Sequence, residues 1–312
     1  MEAIIASSNV RFVCHIAVIY DFDQILVGDI DPERDKRRWK GVILTLSSTT
    51  RCTKCGGVGI FFDPGVEVGR YGRLQLCGCV ECRCGGQPPY RYWDDDSRSQ
   101  WCPCQGYRRK MVETNQLFRQ ADMPERYKWK FIDDFHIVAP DGTPVQLADT
   151  AHRYIESLIG ATEEPRRGCL LYGNPGTGKT LLGCIAINEL MLRWAKPGRY
   201  LSLSLKYFQK LRDTYSEDSV RYGQTWQILE ELCNMPYLIL DDFGVQRGTE
   251  WEMEMLYDLV DARYGNERYT VITTNKPVEE IKALSNGRIY SRLVEMCQMI
   301  PMDGLDYRSH MQ

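Results

Sequence analysis

No stretch of the sequence approaches the ~18–20 uninterrupted apolar residues that a membrane-spanning helix needs. The N-terminus also lacks a basic leader followed by an apolar run, because Arg11, His15 and Asp21 interrupt the one candidate. Secretion and membrane insertion are therefore not expected, and a cytoplasmic location is. A strong charge of either sign is missing too: 39 Lys and Arg stand against 42 Asp and Glu, a net −3. That balance excludes a protein that coats nucleic acid by bulk charge, so any contact with DNA must come from a local patch. No internal repeat is visible, and residues 51–106 have no periodicity from which an apolar core could be built.

Cysteine fills that stretch instead. Of thirteen in 312 residues, eight fall here (Cys52, Cys55, Cys77, Cys79, Cys82, Cys84, Cys102 and Cys104), while Cys14, Cys169, Cys184, Cys233 and Cys297 are scattered singly. Glycine pairs at 56–57 and 85–86, Pro88-Pro89 and the acidic run Asp94–Asp96 separate the cysteines. Such a segment needs an external staple to fold. In a reducing cytoplasm clustered thiols favour a metal over disulfides. Cys52-Thr53-Lys54-Cys55-Gly56-Gly57 is a C-x-x-C knuckle whose glycines free backbone N–H groups to approach sulfur. Zinc is the expected ion, with a four-thiolate iron–sulfur cluster as the alternative. Eight ligands suffice for two tetrahedral sites or for one with spares, and the spacing does not say which cysteines share an ion.

Four regions differ in texture. Residues 1–50 carry short β-branched runs and suggest no function, and residues 51–106 are the expected zinc-binding domain. Residues 107–135 are a basic linker, with a helix predicted from about Arg108 to Gln120 and ended by Met123-Pro124. From Gln105 to Lys130 seven Lys or Arg face three acids and are interleaved with Tyr107, Phe118, Tyr127 and Trp129. This patch, or Lys206-Tyr207-Phe208, suits single-stranded DNA by stacking, and equally suits helix packing with solvated charge. In residues 136–312 apolar runs at 168–172, 200–205, 237–240 and 270–273 alternate with amphipathic stretches at 179–195, 206–214, 250–264 and 278–295. Alternating strands and helices predict an α/β fold with a parallel sheet.

Gly173-Asn174-Pro175-Gly176-Thr177-Gly178-Lys179-Thr180 matches G-x-x-x-x-G-K-[ST] between a predicted strand and helix. Glycines let successive N–H groups point at the phosphates of ATP, Lys179 adds charge there, and the Thr180 hydroxyl ligates Mg²⁺. About sixty residues on, Tyr237-Leu238-Ile239-Leu240-Asp241-Asp242 ends an apolar strand in an acidic pair, a Walker B pattern. Asp241 is expected to hold Mg²⁺ through water and Asp242 to polarise the attacking water. A third strand, Thr270–Thr273, leads to Asn275, read as the water-orienting amide between the two motifs. Arg288, Arg292 and Arg308 lie late in the sequence, where arginines commonly complete a neighbouring subunit's ATP site.

GNPGTGKT, LILDDFGVQ, VITTN, GRIYSRL and a terminal DYR together resemble the AAA+ ATPases of the DnaC/DnaI/IstB group, most closely the bacterial replicative-helicase loaders, over roughly residues 105–312. The resemblance implies a P-loop AAA+ core. It also implies an arginine finger at Arg292, within Ser291-Arg292-Leu293, and a nucleotide-sensing arginine at Arg308; Arg288 has no counterpart. Asp242 stands where the group more often has Glu, and this shorter acid is expected to slow hydrolysis. Because the sequence ends at Gln312, the helical lid of many AAA+ proteins is expected to be absent. The function implied is ATP-dependent loading of a hexameric replicative helicase onto single-stranded DNA by a self-associating ATPase, with the cysteine domain docking the helicase. Two alternatives are a transposition helper that binds duplex DNA and a transposase, and an ATP-gated adaptor with little turnover.

Overall fold

The computed structural model describes residues 52–135, 148–244 and 249–304. The N-terminal segment 1–50, Gln246 and Arg308 lie outside these residues. Two short antiparallel hairpins come first: β1 (Ile60–Phe62) with β2 (Leu74–Leu76), and β3 (Arg91–Trp93) with β4 (Ser99–Trp101). Helix α1 (Cys104–Gln120) follows, begins on a cysteine of the cluster and contains the predicted 108–120 helix.

After α2 (Ala148–Gly160), the alternation resolves into β5 (Gly168–Tyr172), α3 (Lys179–Trp194), β6 (Gly198–Ser202), α4 (Phe208–Asp213), α5 (Thr225–Asn234), β7 (Tyr237–Asp241), α6 (Glu250–Gly265) and β8 (Tyr269–Thr274). Then come α7 (Val278–Ala283), α8 (Arg288–Met296) and β9 (Cys297–Pro301). The five later strands form one sheet in the order β6-β7-β8-β5-β9, every neighbouring pair parallel. This is the α/β fold with a parallel sheet that the alternation of strands and helices predicts. The helix expected over 278–295 is two helices, because Ser285, Asn286 and Gly287 in succession take left-handed φ.

Strand periodicity builds a three-layer core. Cys169, Leu171, Ile239 and Val271 point to the layer containing α2 and α3, whereas Leu170, Leu238, Leu240 and Ile272 point to the layer of α4 to α8. Side chains of this size, once buried, each contribute about 1.5–3 kcal/mol, so the sheet is a rigid platform. Arg263 of α6, 0% exposed, fastens its far end. Its guanidinium donates to the carbonyls of Leu232 (2.7 Å), Met235 (2.8 Å) and Tyr269 (2.8 Å) and to Thr270 Oγ1 (2.9 Å). Burial is the main reason this group is pulled down to about 9.

The cysteine-rich region has a small apolar core after all, but it borrows part of it. Ile60, Leu74 and Met111 pack with Leu192 of α3. An aromatic ladder crosses the same junction: Phe62 stacks on Trp129 at 5.1 Å, and Trp129 on Phe118 at 4.2 Å. Lys110 Nζ donates to Arg193 O (2.9 Å), satisfying a carbonyl at the end of α3, and Arg193 Nη1 donates to Gly56 O (3.4 Å). Phe118 is 1% exposed, and Tyr207 and Phe208 are 0% and 2% exposed. Both aromatic–basic stretches therefore put key rings into the core, where no base can stack on them.

Glu189 of α3 is buried at this junction, accepting from the Ile132 N–H at 3.3 Å. Burial, opposed by that bond and by Arg193, pushes its carboxyl from 4.5 up to about 7. Between those values the folded chain keeps a proton that the unfolded chain has released, so stability falls as pH rises through the window, by about 3 kcal/mol in all. Glu189→Gln is expected to be the more stable protein near about pH 8 and to match the parent near about pH 5 in urea titrations.

Candidate functional site

The loop after β5 curls back on itself and delivers its last residues into α3. Gly173 has φ 136°, and a Cβ there would lie 2.5 Å from Met302 O, so only glycine fits. Gly178, at φ 88°, caps α3. Lys179, 6% exposed, donates from Nζ to Gly173 O (2.9 Å) and to Asn174 O. Thr177 closes the turn on Asn174 O at 2.9 Å.

Thr180 Oγ1 donates to Asp241 Oδ1 at 2.9 Å, joining the loop to the acidic end of β7. Asp241 is 4% exposed, and two further hydroxyls hold it: Thr273 of β8 on Oδ1 and Tyr200 of β6 on Oδ2, each at 2.5 Å. Thr273 lies within the VITTN stretch without being singled out there, and no motif announces Tyr200; neither is the only hydroxyl-bearing residue of its strand. Asp242 is half-buried in the left-handed region at φ 60°, which a short polar side chain tolerates, and its N–H donates to Thr273 Oγ1 at 3.2 Å. β8 lies between β5 and β7, but the β8 side chain on Asp241 is Thr273, whereas Asn275 is exposed just beyond the strand.

A Mg²⁺–ATP complex fits this donor set. Thr180 and Asp241 supply the oxygens a hard, water-retaining cation takes, and the loop's N–H groups with Lys179 supply positive partial and full charges for phosphate.

The arginines are less concentrated. Arg288 is exposed. Arg292 is held within its own chain: Nε donates to Asp261, Nη2 to Tyr257 Oη (2.8 Å) and Nη1 to Arg288 O (3.1 Å), and the guanidinium lies 4.9 Å from the Tyr257 ring centre.

The eight clustered cysteines form two sets of four: Cys52, Cys55, Cys77 and Cys79, then Cys82, Cys84, Cys102 and Cys104, with all sulfurs of a set within 4.8 Å of one another. Neighbouring sulfurs are 3.5–3.9 Å apart. A disulfide is about 2.05 Å, whereas four thiolates about 2.3 Å from one Zn²⁺ stand about 3.8 Å apart. The donors around them suit thiolate: Gly59 N–H on Cys55 (3.3 Å), Arg83 N–H on Cys102 (3.2 Å) and Arg108 Nε on Cys104 (3.4 Å). Backbone N–H groups of Cys55 and Lys54 pull Cys52 down to about 6, while the Cys55 thiol beside Cys79 and the burial of Cys104 push those two up to about 12. Gly59 has no room for a Cβ, which would meet the Tyr107 ring at 2.1 Å. Each set fits a closed tetrahedral ion.

The IstB-like ATP binding protein family matches residues 109–312. The replicative helicase loader DnaC of Escherichia coli K12 is 29% identical over 143 residues, 46% of this chain and 55% of that protein. The uncharacterised YdaV of the same organism is 30% identical over 155 residues, 47% of this chain and 59% of that one. The crystal structure of the DnaC helicase loader aligns with a TM-score of 0.49 at 22% identity, covering 57% of this chain and 99% of that chain. The chain thus spans little more than half the length of these two curated relatives. The family match begins inside α1, takes in the phosphate loop, the acidic strand and the whole parallel sheet, and leaves both cysteine sets ahead of it. With roughly two thirds of its residues matched, the chain belongs to the family of IstB-like ATP-binding proteins.

Proposed function

We propose that the chain is an ATP-dependent loader that places a hexameric replicative helicase on single-stranded DNA. The observation that carries this reading is the 2.9 Å bond from Thr180 to Asp241, which joins the phosphate loop to the acidic strand in a chain similar to a named helicase loader. In this reading the N–H groups of residues 173–178 and Lys179 grip the phosphates, and Thr180 and Asp241 hold the metal. Asp242 takes a proton from the attacking water, and Asn275 orients that water. Held by Thr180 and Asp241, Mg²⁺ would supply positive charge to offset that of the phosphates. Copies of the chain associate through their ATP sites in the cytoplasm, Arg292 reaching a neighbour's nucleotide and Arg308 sensing its own. The two cysteine sets each hold a zinc ion, and the module they order docks the helicase. With Phe118, Tyr207 and Phe208 buried, the DNA contact falls to exposed cations, to backbone and to rings that stay exposed, such as Tyr107.

A pull-down with a hexameric replicative helicase, with and without ATP, tests the partner. Lys179→Ala is expected to weaken ATP binding about 10–100-fold, the loss of one hydrogen-bonded charge, and to abolish DNA-stimulated phosphate release. The family description favours a second reading, a transposition helper. Preference for duplex over single-stranded DNA and capture of a transposase instead of a helicase would establish it. Asp242, one methylene shorter than Glu, supports slow turnover; ATP binding without phosphate release would make the chain a nucleotide-gated adaptor.

A further inference from the structure

Of the three hydroxyls on Asp241, the one from Tyr200 has the least local cause. Tyr200 sits in the edge strand β6, two residues before Ser202, the register partner of Asp241 on β7. To reach Asp241 its ring must run along the sheet face, past Ile239, its own register partner. It is 8% exposed, and its hydroxyl takes Oδ2, leaving Oδ1 to Thr180 and Thr273. The carboxylate is thereby fixed in rotation, with one oxygen turned to the phosphate loop. Tyr200 is fixed as well: its backbone N–H donates at 2.8 Å to Ala121 O, at the end of α1.

Phenylalanine would fill the same volume without leaving an oxygen to be satisfied, so the hydroxyl calls for a purpose beyond packing. We propose that Tyr200 is a positioning residue for magnesium-dependent nucleotide binding: it pins Asp241 so that Oδ1 faces Thr180, and α1 sets its height along the strand. The proposal rests on the ATP-site reading. It also makes the edge strand, rather than only the two motif-bearing strands, part of the metal's support.

The test uses the full chain and a fluorescent ATP analogue, with binding followed as MgCl₂ is raised and again in EDTA. Tyr200→Phe is expected to raise the half-saturating Mg²⁺ concentration about tenfold, the lower end for lost outer partners of a metal ligand. Affinity in EDTA is expected to be unchanged, and the nucleotide-free melting point to fall by no more than about 2–4 °C. In an Asp241→Asn background, Tyr200→Phe is expected to add nothing, because the group it positions is already lost. An unchanged Mg²⁺ dependence, an equal shift in the Asp241→Asn background, or loss of the nucleotide-free fold in Tyr200→Phe would each overturn the proposal. If the unsubstituted chain binds no analogue with Mg²⁺ present, the ATP-site reading itself fails, and the role of Tyr200 with it.

Discussion

Stripping zinc from the full-length chain under reducing conditions is expected to unfold residues 52–104 while leaving the five-stranded sheet intact. The hairpins β1–β2 and β3–β4 are three residues per strand, too short to stand alone. Fully buried apolar support reaches only β1–β2, as Ile60 and Leu74 against Met111 and Leu192, with Phe62 and Leu76 partly buried beside them. At about 1.5–3 kcal/mol per buried side chain, these few cannot offset about 1–2 kcal/mol of backbone entropy for every residue ordered. A structural zinc site contributes an apparent ~10–16 kcal/mol, and there are two candidate sets. Hydrogen exchange should show protection lost across the hairpins and retained in β5, β7 and β8. Elemental analysis should find two ions per chain, one in Cys55→Ser, one in Cys84→Ser and none when the two substitutions are combined. Less than one zinc in the intact protein, or exchange indifferent to chelation, would remove the metal reading.

Arg292→Ala is expected to lose turnover by ~10³–10⁵, the range for arginine fingers, while still binding ATP. Within one chain this guanidinium is occupied by Asp261, the Tyr257 hydroxyl and the Arg288 carbonyl, and its side chain is 23% exposed. Acting on a neighbour's nucleotide therefore requires it to exchange its hold on Asp261 for phosphate. Mixing Arg292→Ala with Lys179→Ala distinguishes a finger from a brace. A finger regains part of the activity where an intact arginine meets an intact loop, because each variant supplies what the other lacks. A brace for α6 and α8 regains nothing, and Arg292→Ala then shows a lowered melting point instead. Full-rate hydrolysis by an isolated monomer would likewise rule out the finger.

Much of the candidate nucleotide site was legible because the residues that would form it are contiguous. Eight positions of the phosphate loop and the acidic pair at 241–242 need only their immediate neighbours to be recognised. Strand and helix alternation likewise foretold the parallel sheet. What stayed hidden depends on sheet order. Tyr200 and Thr273 do not stand out from the other hydroxyl residues of their strands until β6 and β8 are set on either side of β7. The cysteine grouping was hidden for the same reason: Cys52 and Cys55 meet Cys77 and Cys79 only once the β1–β2 hairpin has closed between them. The aromatic–basic stretch left two readings open because spacing cannot tell a ring that faces solvent from one stacked beneath Phe62, as Trp129 is.

The junction between α1, α3 and the first hairpin has a consequence for cutting the protein. The change in composition near residue 106 suggests a seam, yet a cut there would fall inside the first turn of α1. It would also bare Leu192 and the Phe62 side of Trp129, and strip the Gly56 partner from Arg193. The ATP-binding half released in this way would carry a sticky apolar face and be prone to aggregate. A severing point that respects the packing would have to leave the cysteine hairpins attached.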